Sequence, residues 1–195
     1  MRYRLAWLLV LLGAALSFPA GAQEERAPLT LRLSLEEPPR VGRPALPLGL
    51  PYATRSGPGP VDQPFDLSRE LGRVVVVIFY PDNFSPASIA EWRALRERAA
   101  TLASTGVVLV GVSTDSLASH VRFAAELDLP FKLLSDPNRA IILRYGFSDG
   151  PRARRAAVVI GPDGVVRYVD PAFAALDPAS YVHLAAAVRA AQERR

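Results

Sequence analysis

The 195-residue sequence contains no cysteine. That excludes disulfide stapling in any compartment, and with it thiolate catalysis and cysteine-ligated metal. Histidine is nearly as scarce, with only His120 and His183, far apart in the chain. A histidine-rich zinc or iron site is therefore not expected, and no cofactor is called for. Lysine occurs once, at Lys132, so the positive charge is almost all arginine. Lys+Arg of 23 against Asp+Glu of 19 gives a net charge of +4. Arg2 and Arg4 fall in a segment expected to be removed, and the densest remaining basic cluster is Arg152, Arg154 and Arg155. So sparse a cluster does not make a nucleic-acid face.

Long apolar runs are also few, and the most telling one comes first. Arg2 and Arg4 precede an apolar stretch from Leu5 to Phe18. Pro19 then breaks the helix ahead of Ala20-Gly21-Ala22, the small-x-small pattern of a cleavage site. The run is short of the ~20 residues a membrane-spanning helix needs. Residues 1–22 are read as a signal peptide cleaved after Ala22, with the mature chain exported to the periplasm or secreted, without a stable membrane span. No cysteine follows the apolar stretch, which excludes a lipoprotein anchor.

What is present suits one packed domain, since 50% of the residues are hydrophobic. Residues 23–40 read as an N-terminal extension, and 41–195 as the domain. Within the extension, Leu29, Leu31, Leu33 and Leu35 alternate with polar residues and predict a half-buried strand. Gly42 to Pro60 carries Pro44, Pro47, Pro51, Pro58 and Pro60 and predicts an arm with little regular structure. A short helical turn is expected over Phe65 to Gly72.

Strands and helices then alternate. Val74–Phe79 and Val107–Val112 are apolar runs of the kind buried on both faces. Ser85 or Pro86 opens a helix with Ile89, Trp92, Leu95 and Leu102 inward. Asp115 or Ser116 caps a second helix through Leu127, with Val121 and Ala124 or Ala125 inward. A strand at Phe131–Leu134 leads to a helix over Pro137–Tyr145 closed by Gly146. Gly161-Pro162-Asp163-Gly164 links the strands Ala156–Ile160 and Val165–Val169 as a hairpin. Asp177-Pro178 starts a last helix with Tyr181, Leu184 and Val188 at helical spacing. This order predicts an α/β fold, a mixed sheet with helices on both faces.

The segment Phe79-Tyr80-Pro81-Asp82-Asn83-Phe84-Ser85-Pro86-Ala87-Ser88 resembles the active-site stretch of the alkyl hydroperoxide reductase/thiol-specific antioxidant family. The likeness is to peroxiredoxins of the bacterioferritin-comigratory type. Gly111 to Ser116, Ser119-His120 to Phe123, Leu129 to Pro137, Tyr145-Gly146 and Arg155 before Val159-Ile160 continue it in register. The resemblance spans roughly Gly42 to Val169 and implies a thioredoxin-like fold. It also implies a pocket of four residues. Pro81 corresponds to the proline that shields the family's thiolate, and Ser85 to the threonine that hydrogen-bonds it. Arg155 corresponds to the arginine that stabilises the anion. The nucleophile position itself is Ser88, and Arg93 stands where a resolving cysteine would be.

That departure decides the chemistry expected. The family reaction needs a sulfur anion that attacks oxygen and becomes a sulfenic acid. A serine hydroxyl is far less acidic and has no such oxidation states. The sequence therefore predicts a non-catalytic binding or scaffolding module of the antioxidant family. Its pocket would take an anion or a peroxide-sized ligand, and a protein partner is possible on its surface. The alternative is an enzyme reusing the pocket, as a hydrolase through Ser88 or with a partner protein's cysteine. A hydrolase requires a base within reach of Ser88. His120 is expected on a helix that lies away from the pocket, and Glu91 is a carboxylate with which Arg155 could pair.

Overall fold

The computed structural model describes residues 37–98 and 106–193. The expected signal peptide, the alternating leucines of 29–35 and Leu102 lie outside these residues. Among the described residues, eleven strands and four α-helices follow one another. Short pieces come first: β1 (Gly49–Leu50), β2 (Tyr52–Thr54), β3 (Gly57–Pro58) and β4 (Phe65–Asp66), then a 3-10 turn at Leu67–Glu70. Next are β5 (Val75–Phe79), α1 (Pro86–Glu97), β6 (Val108–Ser113), α2 (Leu117–Glu126) and β7 (Lys132–Ser135). The chain continues with α3 (Ala140–Arg144), β8 (Ser148–Asp149), β9 (Arg152–Ala153), β10 (Ala156–Ile160), β11 (Val166–Asp170) and α4 (Pro178–Glu193).

The central sheet has the order β11-β10-β5-β6-β7-β2-β3. β5, β6 and β7 are parallel, and each of the outer pairings is antiparallel. Two crossovers that step in the same direction with right-handed twist must lie on the same face. Accordingly α1 and α2 share one core with α4, through Trp92, Leu95, Phe123, Leu184 and Val188. The period of two splits β5 between the faces: Val76 and Ile78 join that core, while Val75, Val77 and Phe79 meet Ile141, Ile142 and Tyr145 beyond the sheet. The mixed sheet covered on both faces is thus the predicted α/β architecture, of the thioredoxin-like, peroxiredoxin type.

Three local expectations are corrected. The proline-rich arm is not irregular throughout, because Tyr52 and Ala53 pair with Leu134 and Leu133 and extend the main sheet. Pro58 is accommodated because β3 is an edge strand, where a missing N–H costs no ladder bond. α3 begins at Ala140 rather than Pro137, because Arg139 adopts a left-handed φ of 58°. Asp136 Oδ2 then accepts from the backbone of Ile141 and Ile142 in place of a cap at the helix start. In α2 the inward residues are His120, Phe123 and Ala124, with Val121 half-buried and Ala125 exposed. The helix is turned to bury a histidine that finds hydrogen bonds inside.

The site-bearing end of the sheet depends on close approach of α1 to β6. At Gly111 any Cβ would collide with the Trp92 ring, and Leu133 Cδ2 lies 3.0 Å from the same position. Trp92 is fully buried, so the ring has no room to withdraw. Gly111→Ala should therefore destabilise the fold by more than ~2 kcal/mol, as overpacking of a tight core does. Urea denaturation measures this; a loss below 0.5 kcal/mol, about the scale of a surface change, would contradict the packing described.

Candidate functional site

The site forms where β5 ends and α1 begins. Ser85, in extended conformation, caps α1, and its side chain accepts from the Ser88 N–H. Pro86 fills the first helical position, where a missing N–H is harmless. Three residues into the helix, Ser88 is fully buried. The Ser85 and Ser88 hydroxyls lie 2.9 Å apart. Arg155, one residue before β10, reaches them across the strand end, since β10 pairs directly with β5. Its Nη2 donates to Ser88 Oγ at 2.8 Å, and its Nε donates to Glu91 Oε2 at 3.3 Å.

Ser85, Ser88 and Arg155 are thus hydrogen-bonded together although 67 residues separate the last two. Pro81 is half-buried, two residues beyond the end of β5 in the loop that leads to Ser85. Among the described residues, the Ser88 hydroxyl has no histidine or carboxylate partner. The two serine hydroxyls share one hydrogen bond, which leaves one of their two protons without an acceptor. Arg155 Nη1 makes no hydrogen bond among the described residues. The site is accordingly rich in donors, and a group that accepts hydrogen bonds is what complements it.

Glu91 gives the site its electrostatic character. Its side chain is 0% exposed, against 21% for Arg155. Oε1 has no hydrogen-bond partner. Burial pushes its carboxyl up from 4.5 to about 7, and the opposing pull of Arg155 only partly offsets this. The sequence offered Glu91 merely as one carboxylate that Arg155 might pair with; its isolation comes from packing.

A second polar network braces the loop between Pro81 and Ser85. Tyr80 Oη donates to Asn83 Oδ1 at 2.8 Å and lies 3.3 Å from His120 Nδ1. Asn83 Nδ2 donates to Ser119 Oγ, which in turn donates to Asp115 Oδ1. His120 Nε2 lies 3.2 Å from the Leu134 carbonyl, and Nδ1 lies 3.1 Å from Asn83 Oδ1. Burial pushes the imidazole down to about 4. His120 therefore braces the loop between Pro81 and Ser85 and does not touch Ser88. Asp82 adds a third tie, accepting from the Ser85 N–H at 3.1 Å and from Arg152 Nη1 at 2.6 Å. Asp82 and Asn83 had no sequence signal beyond their place in the matching stretch, and Arg152 none beyond its basic cluster with Arg154 and Arg155. His183 lies on the exposed side of α4.

Comparison with known proteins follows this geometry. The sequence model of the AhpC/TSA family matches residues 41–169. A chloroplastic peroxiredoxin Q of Sedum lineare is 36% identical over 110 residues, 55% of this chain and 59% of the relative. The chain spans about half the length of the curated relatives it matches. The crystal structure of the peroxidoxin BcpB from Mycobacterium tuberculosis aligns with a TM-score of 0.68 at 26% identity, covering 78% of this chain and 97% of that one. The bacterioferritin comigratory protein of Xanthomonas campestris aligns with a TM-score of 0.62, over 73% of this chain and 92% of its own. At 24% identity, that second likeness speaks for the fold alone.

The two buried groups give opposite pH slopes. Glu91 holds its proton to about pH 7 in the fold but releases it near 4.5 when unfolded, so stability falls as pH rises between them. His120 is protonated near 6.5 when unfolded but only near 4 in the fold, so stability rises with pH there. The Glu91→Gln variant should gain on wild type by about 3 kcal/mol between pH 4.5 and 7. His120→Asn should gain similarly as pH falls from 6.5 to 4. Urea denaturation across pH 4–8 reads both; pH-independent differences from wild type would contradict these assignments.

Proposed function

This chain belongs to the AhpC/TSA family, and we propose that it is an exported member that binds through its pocket instead of reducing peroxide. The observation that carries this reading is the 2.8 Å hydrogen bond from Arg155 to the hydroxyl of Ser88, at the position of the family's reactive sulfur. The guanidinium, the capped helix start and the paired hydroxyls form a donor array without a nucleophile. With no cysteine in the chain, the array has no group that can be oxidised by peroxide and regenerated by thiol. What remains is recognition of a small acceptor, an anion or a peroxide-sized molecule, held by Arg155, Ser85 and Ser88. Helix N-termini and guanidinium groups both favour negative charge there.

Hydrolysis through Ser88 receives no support from the geometry. The hydroxyl's partners are another hydroxyl and a guanidinium, and neither takes a proton at neutral pH. His120 is committed to Tyr80, Asn83 and Leu134. Export rests on the n-region, the apolar run and Ala20-Gly21-Ala22, which would place the mature start at Gln23. Among the described residues, no helix is long and apolar enough to cross a membrane.

The purified protein should consume neither hydrogen peroxide nor an organic hydroperoxide with dithiothreitol as reductant. Ser88→Cys should carry a thiol more acidic than the ~8.5 of free cysteine, and the further change Arg155→Met should raise it. The pH dependence of alkylation by iodoacetamide measures both. Peroxide turnover by the cysteine-free wild type that disappears in Ser88→Ala would defeat the reading.

A further inference from the structure

We infer that the site takes up a small anion together with a proton, because Glu91 and the anion would both set a negative charge against the single guanidinium of Arg155. The inference rests on the binding function proposed above. Arg155 is divided between two clients: Nη2 serves the pocket hydroxyl, while Nε serves Glu91. Glu91 is fully enclosed, with Oε1 unpartnered, so its charge depends on that one ion pair.

The groups around Glu91 leave no substitute. From the residue before β10 comes Arg155. From the end of β5, the Tyr80 hydroxyl is spent on Asn83, and from α4 the Tyr181 hydroxyl is spent on the Ala175 carbonyl at 2.7 Å. Both tyrosines feel Glu91 as a nearby negative charge. Arg98 is exposed and sits over the Tyr181 ring, 4.8 Å from its centroid. Asp82, which also acts on Tyr80, is engaged by Arg152. An anion arriving at Arg155 would put a second negative charge beside Glu91, away from water. Two like charges at one site drive one of them to protonate. The balance is simple: the Glu91 carboxylate gains a proton from solvent, the anion occupies the guanidinium, and no covalent bond is made or broken beyond O–H.

The sign follows from the carboxyl's own position, raised to about 7 by burial. Below that pH Glu91 already carries its proton, so binding draws none and affinity is level. Above it, each bound anion draws up to one proton, and affinity falls up to tenfold per pH unit.

Isothermal titration with sulfate, whose charge is constant over the range, tests this on the whole mature protein. Titrations run at pH 6 and 8.5 in two cationic buffers of different ionisation enthalpy. Wild type should bind more weakly at pH 8.5, by tenfold or more, with an uptake approaching one proton; at pH 6 uptake should be small. Glu91→Gln should bind at both pH values as tightly as wild type does at pH 6, without uptake. Arg155→Met should not bind. Equal wild-type affinity at pH 6 and 8.5, or unchanged binding in Arg155→Met, would overturn the coupling. Absence of sulfate binding by folded wild type at pH 6 would instead defeat the binding function on which it rests.

Discussion

Arg155 leaves the chain one residue before β10 and crosses the end of β5 to donate to Ser88 and Glu91 on α1. This guanidinium ties the start of one central strand to the first helix. A carboxylate as enclosed as Glu91 is costly unless paired, and removal of either partner would strand the other's charge. The pair therefore stands on structural grounds of its own. Ser88 belongs to this arrangement, because its hydroxyl accepts the Arg155 hydrogen bond.

The loop between Pro81 and Ser85 owes its shape to a separate set of contacts. Asp82 secures it to Arg152 and to the start of α1, and Asn83 secures it to α2 through Ser119. His120 completes the brace from the buried face of α2, between Tyr80 and Asn83 on one side and the Leu134 carbonyl of β7 on the other. Donors fixed in advance on rigid elements lose little freedom when they meet a ligand. Such an arrangement serves binding as well as it serves chemistry.

How much of this was legible in the sequence depends on how local each cause is. The apolar runs of β5, β6 and β10, the Ser85-Pro86 start of α1 and the Gly161–Gly164 hairpin are set by neighbours in the chain, and they read correctly. The convergence of Ser88 and Arg155 came only through the resemblance, since no spacing links residues so far apart. Tyr52–Thr54 was hidden among prolines and glycines, because its strand character comes from pairing with β7 and not from its own propensity. The late start of α3 turns on the backbone of Arg139, a residue type that gives no warning of a left-handed φ. Glu91 and His120 looked like an ordinary carboxylate and an ordinary helix residue. Their burial, and hence their unusual proton affinities, follows from three-dimensional packing alone.

The central claim is that the pocket has kept its anion-holding donors while losing its sulfur. A crystal of the protein soaked in bromide at pH 5.5, with data collected at the bromine absorption edge, tests it most directly. The account predicts an anomalous peak in contact with the Arg155 guanidinium and a serine hydroxyl of the Ser85–Ser88 pair. A pocket without bromide, in a crystal whose other surface sites are filled, would contradict it.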